Sequence, residues 1–204
     1  MIRLTSRDLK IMLCLARNGF ATIQQIQYKW FNSYDSCIKR LRKLRENKYL
    51  QVIYIERYGS GIYSLTKQGL DFINDYYGCS YKNYARSNKI NHYISCSELY
   101  LNFPYTIIEY EMEYYLDDII PDIYIKYENK KEVDLLIEID NTNKPNIIKQ
   151  KINNYNKYYN SFQWKEHFDL FPKVLIVSNI NCEDMRSNVP INFTKFNNIK
   201  ELKL

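Results

Sequence analysis

The sequence predicts an α+β protein in which a mostly helical first part, residues 1–77, precedes a mixed α/β second part, residues 88–204. Two observations support this division. Apolar residues recur with helical spacing in the first part, whereas short apolar runs typical of strands alternate with helical segments in the second. Between the two parts, residues 78–87 have no periodicity and mix Gly, Ser, Asn and Lys, which predicts a linker.

Three helices are predicted at the start of the first part, over residues 5–18, 22–30 and 33–47. The first two begin with a Thr that is followed three residues later by Asp or Gln, which is the spacing of a capping box. In the first helix, apolar residues then recur at i, i+3, i+4 and i+7, so one face is available to a core.

A β-hairpin and a fourth helix complete the first part. Tyr49 to Arg57 has the composition of a strand, the residues Tyr58-Gly59-Ser60-Gly61 predict a turn, and Ile62 to Leu65 predicts the return strand. Thr66 can cap a helix that extends to about Ile73. Three helices, a two-stranded wing and a closing helix are the element order of a winged helix-turn-helix.

The second part is predicted to contain helices over 88–103 and 145–162, strands over 105–115, 119–126, 132–140, 173–178 and 191–196, and a short helix over 183–187. The order is therefore αβββαβ with a further strand at the end, which predicts a mixed sheet. The apolar run at 173–178 is typical of a buried parallel strand.

Positive charge is concentrated at the beginning of the chain. Residues 1–78 contain 13 basic and 6 acidic residues, a net charge of +7, whereas the remaining residues contain 16 basic and 17 acidic ones. From the third helix to just past its end, the stretch Lys39 to Lys48 holds six basic residues and one acidic residue, while Leu41 and Leu44 supply the inward face. This pattern predicts a helix that docks on its own core and offers cations to double-stranded DNA.

The residues predicted to contact duplex DNA are Ser33, Tyr34, Ser36, Lys39, Arg40, Arg42 and Lys43 of the third helix, and Arg57 and Tyr58 at the tip of the wing. Small polar residues at the helix start suit phosphates or base edges, and a cation at the wing tip can reach the backbone. The alternative is a solvated charged face on a winged helix that binds protein.

Other classes of protein fit the sequence less well. No apolar run is long enough to cross a bilayer and the N-terminus lacks a signal-peptide pattern, so we expect a cytoplasmic protein that does not bind membranes. The five cysteines have no zinc-ligand spacing, and Cys14 and Cys37 fall on apolar helix faces, which predicts buried thiols and no structural zinc.

Acidic residues in the second part predict a divalent-metal site. A period of two places Glu138 and Asp140 on one face of their strand, and Asp122 on the neighbouring strand can join them. Glu98 of the preceding helix is a candidate for a fourth carboxylate. Converging carboxylates repel one another unless a cation or proton relieves them, so Mg²⁺ or Mn²⁺ is the expected ligand. A solvated acidic strand face is the alternative.

Segments of both parts resemble the replication-relaxation family of plasmid and mobile-element proteins. They are LTSRDLKIMLCLARNGFATIQQIQ, CIKRLRKLRENKYL and GIYSLTKQGL in the first part, and INHYISCSELY and PDIYI…LLIEIDNTN…KQKINNYNKYY in the second. The resemblance implies a winged-helix DNA-binding protein that acts in plasmid replication, DNA relaxation or transfer.

The αβββαβ order of the second part is also that of the restriction-endonuclease-like fold. Active members of that fold carry an Asp at the start of one strand and Glu-x-Lys on the next. Asp122 and Glu138 fit this pattern, but Asp140 stands where the Lys belongs. The following helix can supply the cation from Lys149 or Lys151, and the family resemblance favours Lys151.

Three functions remain open from the sequence. The first is a homodimeric DNA-binding protein that works with replication or relaxase proteins. The second is a Mg²⁺- or Mn²⁺-dependent endonuclease or nickase, in which Asp122, Glu138 and Asp140 bind the metal and Lys151 completes the catalytic set. The third is a transcriptional repressor.

Overall fold

The computed structural model describes residues 2–84, 89–142, 144–180 and 185–204, with only the backbone of Arg57. The chain divides into two compact units, Met1–Leu101 and Asn102–Leu204. Among the described residues, no helix is both long and apolar enough to cross a membrane.

The first unit has the predicted winged-helix order with one short strand added. Its elements are α1 (Ser6–Asn18), β1 (Ala21–Thr22), α2 (Ile23–Trp30), α3 (Tyr34–Glu46), β2 (Leu50–Ile55), β3 (Ser60–Leu65), α4 (Lys67–Tyr77) and α5 (Ile90–Asn102), the last residue of which falls in the second unit. The three strands form an antiparallel sheet in the order β1-β3-β2. A short 3₁₀ helix, Glu56–Tyr58, forms the tip of the wing formed by β2 and β3.

Helix caps fix the start of α1 and α2 where the sequence predicts them. The Thr5 hydroxyl accepts a hydrogen bond from the Asp8 N–H at 3.3 Å, and the Asp8 carboxylate accepts one from the Thr5 N–H at 2.7 Å. Thr22 and Gln25 repeat this reciprocal pair at 3.2 and 2.9 Å. Both capping boxes are therefore confirmed, and each satisfies amide groups that the helix itself leaves unpaired.

The first unit extends beyond the predicted linker. Tyr81 packs against the core of the winged helix, and its hydroxyl accepts a hydrogen bond from Arg17 at 3.3 Å. Arg17 also donates to the Tyr100 hydroxyl of α5 at 3.0 Å, and Ser97 donates to the Phe20 carbonyl. The compact unit thus includes α5, which the sequence interpretation assigned to the second part. Residues 85–87 of the predicted linker lie outside the described residues.

The second unit is built on a five-stranded mixed sheet. Its elements are β4 (Thr106–Met112), β5 (Ile123–Asn129), β6 (Lys131–Asp140), α6 (Pro145–Ser161), β7 (Lys173–Ser178) and β8 (Ile191–Thr194). The strand order is β4-β5-β6-β7-β8, antiparallel from β4 to β6 and parallel from β6 to β8. The predicted short helix at 183–187 is not formed over residues 185–187, and residues 183–184 lie outside the described part.

Helix α6 connects the parallel strands β6 and β7 and packs on one face of the sheet. Ile148 and Ile152 contact Ile176 of β7, and Tyr155 and Tyr158 join a cluster that includes Leu136, Tyr124 and Val174. In the register of β6 with β7, Glu138 lies opposite Ile176. Glu138 therefore lies on the face that α6 covers.

Candidate functional site

Helix α3 holds its basic residues on the surface because a narrow apolar stripe anchors it. Cys37, Leu41 and Leu44 are fully buried. The four exposed basic residues between and beyond them are Lys39, Arg42, Lys43 and Arg45. In the part of the chain that the structure describes, none of these four forms an ion pair. Their charges are available to a polyanion.

Arg40 does not belong to this exposed set. Its Nε donates to Asp8 Oδ1 at 2.8 Å, and its Nη2 contacts Asp8 Oδ2 and donates to the Arg3 carbonyl at 2.9 Å. Burial would raise the pKa of Asp8, but the hydrogen bonds from Arg40 and Thr5 hold that pKa below its usual value. The structure therefore gives Arg40 a role in joining α3 to α1, in place of the predicted DNA contact.

Of the other residues predicted to contact DNA, the two serines at the start of α3 are exposed, whereas Tyr58 of the wing is bonded within the first unit. Ser33 caps α3 by accepting from the Ser36 N–H at 3.3 Å, and both hydroxyls remain exposed at the helix start. Tyr58 at the wing tip instead donates its hydroxyl proton to Asn91 Oδ1 at 2.6 Å, which ties the wing to α5. The side chain of Arg57 lies outside the described part.

A groove of about 610 Å³ separates α3 from the wing and is called here the α3–wing groove. The side chains and backbone that line it belong to Ile23, Tyr34, Ile38, Arg42, Arg45, Tyr54, Ile55, Glu56, Gly59, Ser60, Gly61 and Tyr63. Arg45 and Tyr54 were not among the residues predicted to contact DNA. Arg45 continues the row of Ile38 and Arg42 along α3 at helical spacing, and this spacing is the signal that could have identified it.

The second unit brings together three of the four residues predicted for metal binding and catalysis. Lys151 Nζ lies 3.0 Å from Asp122 Oδ2 and is in contact with Glu138 Oε2. Asp122 Oδ2 also accepts the Ile139 N–H at 2.7 Å, and the Tyr155 hydroxyl donates to Glu138 Oε1 at 2.8 Å. Two carboxylates, one directly before β5 and one on β6, thus share one ammonium group.

Asp140 is held apart from this cluster, contrary to the expectation of three converging carboxylates. Its Oδ1 accepts from the Thr142 hydroxyl at 2.6 Å, and its Oδ2 accepts from the Ser178 hydroxyl at 3.0 Å. Glu98, the candidate fourth acid, accepts a hydrogen bond from Gln25 at 2.9 Å inside the first unit. Within the described ranges, no group of three or more His, Cys, Asp or Glu side chains could hold a metal ion.

Burial controls the charges in the cluster. It raises the pKa of Glu138 to about 7, with Lys151 opposing that rise and Asp122 adding to it. Burial would lower the pKa of Lys151, but the two carboxylates raise it to about 12. Lys151 therefore carries its positive charge at neutral pH.

The pair Asp122 and Glu138 fits a Mg²⁺ ion by its chemistry, although not as a complete protein cage. Mg²⁺ prefers oxygen ligands and is commonly held by one or two carboxylates together with water and substrate phosphates. Both oxygens of Glu138 already accept hydrogen bonds from Lys151 and Tyr155. An ion at this site would therefore have to share Glu138 with these donors.

Comparison with known proteins identifies a family model that matches segments of both units. The model of the replication-relaxation family matches residues 13–174. No curated protein sequence gives a significant match. Two mutant structures of ZitR from Lactococcus lactis match with 23% and 19% identity and TM-scores of 0.33 and 0.34, too low to establish a shared fold. These alignments cover 38% and 47% of this chain, and they span 53% and 62% of the ZitR chains.

Proposed function

Because the chain belongs to the replication-relaxation family, whose model matches residues 13–174, we propose that it is a double-stranded DNA-binding protein of a plasmid, phage or integrated mobile element. The winged helix binds the duplex. The protein then acts in replication, in DNA relaxation or transfer, or in the regulation of these processes, together with replication or relaxase proteins.

The observation that carries this proposal is the exposed basic surface of α3. Lys39, Arg42, Lys43 and Arg45 extend into solvent with no carboxylate partner among the described residues. Clustered cations without counter-charges are stabilised when they replace the counterions of a phosphate backbone. The first part also holds the excess positive charge of the chain.

A salt titration tests the proposal. We expect replacement of Lys39, Arg42 and Lys43 by Ala to weaken binding to a labelled duplex at least about tenfold and to lower the slope of log K against log salt by about 2 to 3. The matched control replaces three exposed lysines of the second unit, Lys144, Lys149 and Lys157, and so changes the net charge equally. Equal effects of the two triple variants would show that α3 is not the binding surface.

A homodimer follows from the same proposal, because one winged helix covers a single half-site and two copies on paired half-sites gain specificity. Light scattering after size exclusion should then give a mass near twice 24.8 kDa. A mass near 24.8 kDa at micromolar concentration, with and without DNA, would contradict the dimer.

A second candidate function is divalent-metal-dependent DNA cleavage by a restriction-endonuclease-like second unit. The convergence of Asp122, Glu138 and Lys151 across β5, β6 and α6 favours it. Asp122 and Glu138 would hold Mg²⁺ or Mn²⁺, which supplies Lewis-acid activation of a phosphodiester when bound. Lys151 lies beside both carboxylates, where its charge can stabilise an anionic phosphate.

Incubation of the protein with supercoiled plasmid and Mg²⁺ or Mn²⁺ tests this second function. If it holds, nicked or linear DNA forms with the wild type and not with Asp122→Ala or Glu138→Ala, while duplex binding is retained by both variants. Binding without cleavage under all these conditions would leave the second unit as a scaffold for the DNA-binding protein.

A further inference from the structure

The α3–wing groove contains chemistry that duplex phosphates do not use. Two of its exposed residues are tyrosines, Tyr34 on α3 and Tyr54 on β2, whose exposed fractions are 46% and 73%. Among the described residues, neither ring stacks on another aromatic ring and neither hydroxyl forms a hydrogen bond. Both rings are therefore available to a ligand.

The lining of the groove is amphipathic. Arg42 and Arg45 supply positive charge, whereas Ile38 and Ile55 supply half-buried apolar surface beside the tyrosine rings. A phosphate group is bound by the cations but gains nothing from aromatic faces or isoleucine side chains. Nucleobases, in contrast, stack on aromatic rings, and their flanking phosphates pair with arginine.

The bases of an intact duplex cannot use such a groove, because each base face is already stacked on its neighbours. An unpaired base presents its face and can enter. The groove volume of about 610 Å³ lies in the range of about 300–1,000 Å³ that is usual for small-molecule sites, so it has room for such a group.

We propose that the α3–wing groove binds an unpaired segment of DNA, with a base stacked on Tyr54 and the flanking phosphates bound by Arg42 and Arg45. This inference rests on the proposed DNA-binding function and extends it from the duplex to the boundary between duplex and single strand. The protein would then bind DNA that has been locally opened more tightly than the same sequence in closed form.

Fluorescence anisotropy with the full chain tests the proposal on two probes, a blunt duplex and the same duplex extended by a single-stranded arm. We expect the wild type to prefer the extended probe. Tyr54→Ala should weaken binding to the extended probe on the order of tenfold, the effect of losing one stacked base, and leave binding to the blunt duplex unchanged. Tyr54→Phe keeps the ring and should keep the preference.

Tyr76→Ala is the matched control, because Tyr76 is a similarly exposed tyrosine on α4, with an exposed fraction of 58%. A 2-aminopurine in the single-stranded arm reports stacking directly. Its fluorescence should be quenched by the wild type and by Tyr54→Phe and Tyr76→Ala, but not by Tyr54→Ala.

Two results would overturn the inference and leave the proposed function intact. One is equal affinity of the wild type for the blunt and extended probes. The other is a Tyr54→Ala variant that binds both probes like the wild type and quenches 2-aminopurine normally. Failure of the wild type to bind either probe would instead remove the DNA-binding function itself.

Discussion

From the ion pair between Arg40 and Asp8 we predict how much α3 depends on this contact for its stability. The side chain of Asp8 is 0% exposed and that of Arg40 is 18% exposed. Arg40→Ala leaves a buried carboxylate whose remaining donors, among the described residues, are the N–H and hydroxyl of Thr5. Breaking a buried pair costs about 3–5 kcal/mol. Because Thr5 still stabilises the charge, we expect a loss of about 3 kcal/mol in the free energy of unfolding.

Urea denaturation followed by circular dichroism measures this loss. With an m value of about 2 kcal/mol/M, the midpoint should fall by about 1.5 M. The control is Lys39→Ala, which removes the same charge from the adjacent exposed position and should change stability by less than about 0.5 kcal/mol. If the two variants unfold at the same urea concentration, Arg40 does not stabilise Asp8 and belongs with the DNA-facing residues after all.

The dependence on pH provides an independent check of the same pair. The folded-state pKa of Asp8 lies below its ordinary value of 3.8. The stability that Asp8 contributes is therefore complete above pH 4 to 5 and is lost as the pH falls through the folded-state pKa. The gap in stability between the wild type and Arg40→Ala should shrink in that acidic range. A gap that stays constant down to about pH 2 would contradict this account.

Two further substitutions test the packing. Gly69→Ala should destabilise the first unit by about 1–3 kcal/mol in urea denaturation, because the Cβ of the alanine would lie 2.1 Å from the Tyr49 carbonyl oxygen. Unchanged stability would show that the backbone shifts to relieve this contact at no cost. Lys151→Met removes the cation between two carboxylates and should lower the free energy of unfolding by about 3 kcal/mol. The control Lys149→Met, on the exposed side of α6, should have little effect. Equal stability of the two variants would show that Lys151 is not needed to neutralise the two carboxylates.

The local structure of the first unit was predictable because it depends on neighbours in sequence. The capping boxes at Thr5 and Thr22 involve residues only three positions apart, and the wing is a hairpin of adjacent strands. The domain boundary was not predictable in this way. It depends on contacts such as the hydrogen bond between Arg17 and Tyr100. These two residues are 83 positions apart, so a local sequence pattern cannot predict their contact.

The candidate site of the second unit was likewise predictable only in part, because it too depends on contacts between residues distant in sequence. Residues 122, 138, 140 and 151 were predicted as a set. The structure brings the first, second and fourth of them together, whereas Asp140 is engaged by Thr142 and Ser178. Strand alternation gives only the face on which a side chain lies. Which side chains meet within that face depends on the donors that neighbouring elements supply, and these donors are distant in sequence.

A charged residue on an apolar helix stripe is nevertheless a signal that sequence reasoning can use. Asp8 stands at i−3, i−4 and i−7 relative to Ile11, Met12 and Leu15, which are all buried. A charge at such a position must find a partner, because an unpaired buried charge is very costly. The partner then stabilises the fold, as Arg40 does here.

Lys151 follows the same rule with a different consequence. It lies between Ile148 and Tyr155 on the buried side of α6, so its ammonium group must also be paired. Its partners are two carboxyl groups, Asp122 and Glu138, and burial raises the pKa of Glu138 to about 7. The stripe position of Lys151 therefore predicts an acidic partner on the sheet, but it does not give the number of those partners.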